Sequence, residues 1–107
     1  MANITEADWK VFKQIKAHAL EKYCVQCLDE FKAIGEKTEL SPHERYLLIF
    51  RAVEQRDITL ANIFNGLSRS RAYLQLVLIR REGLADPALV AQLSEMLQAQ
   101  SHPKNFL

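Results

Sequence analysis

The residues with the most obvious chemical potential are the two cysteines in the run Cys24-Val25-Gln26-Cys27. Such a pair can supply two thiolates to zinc or exchange a disulfide. A tetrahedral metal site, however, needs four ligands, and a redox pair usually sits at a helix N-terminus that stabilises its thiolate. This pair falls inside a stretch with helical periodicity. His18 stands about 180° around that helix from Cys27, so the two cannot share a face. His43 and His102 are remote in sequence. The spacing favours small buried hydrophobes over a metal or redox centre. No His-Glu-x-x-His motif and no Glu-x-x-His pair is present, and no glycines flank a serine as a nucleophile elbow would require. The expectation is no catalytic residue, no metal ligand and no cofactor.

A second cluster is basic. Ser68-Arg69-Ser70-Arg71 opens an apolar helical stretch, and a helix N-terminus with two hydroxyls and two guanidinium groups beside it can meet an anion or an acidic partner surface. The segment from Ile58 through Asn65-Gly66 to Tyr73 resembles the helix-turn-helix of bacterial regulators. That resemblance implies that residues 58–79 form a DNA-binding module, with the start of its second helix in the major groove. With Gly66 at the turn, the pattern departs from the motif four places earlier, where Asn62 stands in place of a small residue. It departs again where Asn65 and Gln75 fill apolar slots. Leu74, Leu76, Val77, Leu78 and Ile79 also leave the second helix little exposed face.

These groups are positioned by helices. Thr5 has the chemistry of an N-cap, with Glu6 and Asp8 in the first turn. Trp9, Phe12, Ile15, Ala19, Tyr23, Cys27, Phe31 and Ile34 then recur at intervals of three or four until Gly35. Ser41-Pro42-His43-Glu44 reads as cap, first-position proline and capping box. The helix it opens carries Tyr46-Leu47-Leu48-Ile49-Phe50, apolar on every side, which predicts a central position. The polar stretch Glu54–Asp57 separates this helix from a short third one ending at Asn65-Gly66. A fourth runs from Ser68 or Ser70 to Gly83, and Asp86-Pro87 opens a fifth through Leu97.

The predicted fold is all-α: a bundle of about five helices with a long N-terminal helix, in one domain spanning 1–107, with 1–4 and 101–107 as loose ends. With 107 residues, 49% hydrophobic and 25% charged, the chain has the composition of a globular domain. Three glycines and three prolines leave little for an all-β fold. A net charge of +1 gives no global attraction to nucleic acid. The absence of an apolar start or a membrane-length run predicts a cytoplasmic location and no membrane partner.

A first helix roughly 40 Å long would overhang a domain about 30–35 Å across. This predicts a homodimer in which Val11 and Val25, off the main apolar stripe, make the contact. The expected function is that of a non-enzymatic adaptor or regulator. It would work by protein–protein interaction with an unidentified protein, with DNA binding through Ser68, Arg69, Ser70 and Arg71 as the alternative.

Overall fold

Thr5 sets the start of the first helix. In a computed structural model, which describes residues 4–106, its Oγ1 accepts the Asp8 N–H at 3.1 Å. Helix α1 then runs Glu6–Gly35. No glycine or proline interrupts it, so it extends for about 45 Å. Its buried stripe is Asp8, Phe12, Ile15, Ala19, Tyr23 and Cys27, the spacing of one helical face.

Helix α2, Pro42–Phe64, opens with the expected capping box: Ser41 Oγ accepts from Glu44 N–H, and Glu44 Oε1 accepts from Ser41 N–H. It folds back antiparallel to α1, because Gly35 approaches Ile49 near the turn while Tyr23 meets Arg56 farther along. Arg45 Nη1 donates to the Gly35 carbonyl at 2.8 Å and so completes the end of α1.

Helix α3, Arg69–Arg81, is the centre of the molecule. Ala72, Leu76 and Ile79 are fully buried with Phe12, Ile15 and Ala19 in one cluster that also takes Ile63, Phe64 and Leu84. Gly83, at φ +72°, turns the chain away after α3, a conformation that glycine adopts at no steric cost. Two short helices follow, α4 at Pro87–Val90 and α5 at Glu95–Gln100, and a 3-10 turn covers Pro103–Phe106.

The all-helical class and the long N-terminal helix are as expected, and four details differ. Residues 58–64 are no separate helix but the last two turns of α2. The polar stretch before them contains neither glycine nor proline and continues the helix, with Glu54, Gln55 and Asp57 in solvent and Arg56 turned toward Glu30. The fifth helix is broken at 91–94, where the Ser94 side chain caps a new start by accepting the Leu97 N–H. The expected loose ends are partly tied down. Ile4 packs on the core, Ser101 is fully buried, and Asn105 donates to the Ala99 carbonyl. Residues 1–3 and 107 lie outside the described residues.

The fourth difference matters most. The first half of α2 is not central: Tyr46 is 65% exposed and Phe50 53%. The molecule measures 53 × 26 × 23 Å, with a radius of gyration of 16.8 Å. A globular chain of this length has about 13 Å. Leu84 is buried beside α3, and the Gly83 carbonyl accepts from Lys22 at the middle of α1. Beyond that level α1 and α2 pair chiefly with each other and form a projecting hairpin. Among the described residues, no helix is long and apolar enough to cross a membrane.

Candidate functional site

The basic cluster at the start of α3 is largely absorbed by the fold. Arg69 donates to a Glu6 carboxylate oxygen, and its guanidinium lies 5.2 Å from the centre of the Trp9 ring. This contact holds the Glu6 carboxyl below the usual carboxylate range. Arg71 folds back over the turn at Gly66, its Nη1 3.1 Å from where a Cβ there would stand. Ser68 makes no side-chain cap, and its hydroxyl lies 3.3 Å from that of Ser70. Lys16 donates to the Gly66 carbonyl, and the buried Gln75 donates to Asn65 at 2.8 Å.

These bonds explain one departure from the helix-turn-helix pattern. Gln75 is polar because its buried side-chain amide ties the α2–α3 turn through the backbone carbonyls of Asn65 and Gly66, whereas Asn65 itself is exposed. Past its first turn, α3 has Gln75, Leu76, Val77 and Ile79 buried, so only its opening residues face outward as a group.

A cavity of about 210 Å³ lies between the start of α1, α3 and α5, lined by Asp8, Arg69, Tyr73 and Ser94 among others. Its polar groups already have partners. Asp8 is 5% exposed, and its two carboxylate oxygens accept from Ser94 N–H at 2.8 Å and from the Ser94 hydroxyl at 2.6 Å. Tyr73 donates to the Gln100 carbonyl at 2.7 Å. The carboxylate that could have served as a general base is thus a cap for α5, reaching across from the first turn of α1.

A second cavity, about 230 Å³, runs along the projecting hairpin and is almost entirely apolar. Cys24, Cys27, Leu28 and Phe31 line it from α1, and Val53, Leu60 and the charged Arg56 and Asp57 from α2. The pair is riveted beneath it. Arg56 Nε donates to Glu30 at 3.0 Å, its guanidinium lies 5.5 Å from the Tyr23 ring centre, and the Tyr23 hydroxyl donates to the Arg56 carbonyl at 2.9 Å. Burial pushes the Cys24 thiol pKa up, with the neighbouring Cys27 and Glu21 acting in the same direction. Cys24 is therefore held as a protonated, poor nucleophile, and Cys27 is buried beside it. Among the described residues no group of three His, Cys, Asp or Glu side chains is placed to hold a metal ion.

The apolar lining continues into solvent. Leu28 is 65% exposed and Val53 44%, while Phe50 and Tyr46 prolong the same side of α2 toward the turn. Of the residues expected at a dimer contact, Val25 is 57% exposed next to Leu28. Val11 instead packs against the core and offers little surface. Leu28 and Val53 were not singled out from the sequence, and Phe50 was expected at the centre rather than on a surface. Their signal was present in the four-then-three spacing of 46, 50 and 53, which repeats that of 24, 28 and 31.

Comparison with protein-family models, with curated proteins and with solved structures found no match to this chain. The protein is a small all-helical chain.

Proposed function

We propose that this protein acts by protein–protein contact, as a non-enzymatic adaptor or regulator, and that the apolar side of the α1–α2 hairpin is its working surface. The supporting observation is the groove between Leu28 and Val53 with large apolar side chains exposed beside it. Scattered exposed hydrophobics are ordinary on a protein surface, but a contiguous run on one side of two paired helices marks an interaction site. A groove between two helices accepts the apolar stripe of a third helix. Its largely apolar exposed surface suits packing against another helix.

The test is photo-crosslinking in cells, with a benzophenone amino acid placed at Phe50 or, as a control, at the exposed Ala88 of α4. Covalent protein adducts at position 50 and none at 88 are expected. No adduct at position 50 overturns the proposal. Binding of duplex DNA that weakens between about 50 and 200 mM salt, and is lost on changing Arg69 and Arg71 together to alanine, would replace it with the helix-turn-helix alternative.

A further inference from the structure

Building on that reading, we infer that the occupant of the groove is a second copy of this chain, its hairpin laid on the first to form a four-helix arrangement about a two-fold axis. The accessible surface is 7078 Å². Size scaling for a folded monomer of this mass gives about 6,100 Å². The excess, roughly 1,000 Å² per chain, matches the ~800 Å² that each partner buries in a standard interface. The hairpin is where the molecule departs from a globular outline, and it is where the large exposed apolar side chains concentrate.

The pattern on the hairpin is that of a bundle seam. Cys24, Leu28 and Phe31 on α1, and Tyr46, Phe50 and Val53 on α2, show the same four-then-three spacing. Two antiparallel helices carrying such a stripe each are half of a four-helix bundle. An isologous pairing supplies the other half, because the same patch serves both sides.

Charge points the same way. A surface shaped for a strongly charged partner would carry the opposite sign around its rim. Here the rim carries both signs, Glu21 and Lys32 on α1 and Arg51 and Glu54 on α2, and the whole chain has a net charge of only +1. Within the groove Arg56 is paired with Glu30, and Asp57 is the other charged lining residue. A second copy therefore meets no block of like charge, only the single Asp57 of each groove.

The experiment is the molar mass of the full chain in solution, by light scattering on a size-exclusion column. At about 100 µM, a concentration that saturates micromolar self-affinity, the expected mass is twice the 12.3 kDa of one chain. The doubly substituted Leu28→Glu, Phe50→Glu chain is expected at the single-chain mass with unchanged helical circular dichroism. Both side chains are exposed in the isolated chain, so neither replacement opens its core. A wild-type chain of single mass at that concentration overturns the inference, whatever the variant does. So does a double mass that survives the two glutamates at unchanged helicity. Adducts at position 50 to a different protein, from a chain that is single in solution, overturn self-pairing but keep the interaction reading. Absence of any adduct overturns both.

Discussion

Removing the Asp8 carboxylate by Asp8→Ala should be among the most damaging changes outside the apolar core, and its size can be worked from two bonds. Asp8 accepts from the Ser94 N–H and the Ser94 hydroxyl, joining the first turn of α1 to the first turn of α5 across a sequence separation of 86. Hydrogen bonds to a charged group contribute roughly 1.5–3 kcal/mol each. Ser94 is itself exposed, so water can re-solvate part of what is lost. That places the expected cost at the lower end for two bonds, about 3 kcal/mol. For a domain near this size this is a fall in Tm of about 12–20 °C. Asp8→Asn keeps one acceptor oxygen and should cost about half as much. Ser94→Ala loses the hydroxyl donor and the α5 cap together, and should be strongly coupled to Asp8→Ala in a double-mutant cycle. Urea unfolding of the four chains at neutral pH measures all of this. An Asp8→Ala chain within about 0.5 kcal/mol of wild type, the range of ordinary surface changes, would refute the structural assignment. It would return a buried carboxylate beside Tyr73 and Arg69 to the list of reacting groups.

Two further outcomes follow from burial and from capping. Phe12 is fully buried and Phe50 is half exposed; Phe12→Ala should cost about 3–5 kcal/mol, whereas Phe50→Ala should leave the stability of the isolated chain, measured by urea unfolding at high dilution, within about 0.5 kcal/mol of wild type. The Glu44 carboxyl is held below its usual range chiefly by the hydrogen bond from the Ser41 backbone. Its pKa is depressed in the folded state, so the stabilisation it gives is present above the unfolded value, about 4.3. It is lost as pH falls through the lower folded value. Acid titration of stability in wild type and Glu44→Gln should show the gap between them closing over that window.

The parts of the fold that were legible in the sequence are those governed by neighbours. Thr5, Ser41 and Asp86 each accept the backbone N–H that their cap chemistry required. The α1 stripe was legible because burial on a helix has a fixed period. What failed was the placing of breaks in polar stretches. Glu54–Asp57 resembled a boundary but continues α2, because Glu and Gln are good helix formers and Arg56 has Glu30 to pair with. The break before α5 was signalled by Ser94 ahead of Glu95, but a single apolar series through Leu97 overrode it. The candidate site was less legible. Arg69 and Arg71 stood out by type, yet Arg69 is held by Glu6 and Trp9, contacts 63 and 60 residues away along the chain that no local pattern reveals.

The expectation that α2 lies at the centre failed for an informative reason. An all-round apolar turn reports a demand for burial, and reading it as central assumes that the same chain supplies the cover. For α3 the chain does so, with α1 on one side and Leu84, Leu93 and Leu97 on another. For Tyr46, Leu48 and Phe50 it does not. The far part of the hairpin is held instead by polar devices: the Ser41–Glu44 box, Arg45 on the last turn of α1, and Arg56 between Glu30 and Tyr23. Each fixes the geometry of the two helices without using the apolar side chains between Leu28 and Phe50. Those side chains are thus pre-positioned on paired helices before any partner arrives, so little ordering entropy opposes docking. Under the proposed self-pairing, the demand for burial that misplaced α2 at the centre of one chain would be met at the centre of two.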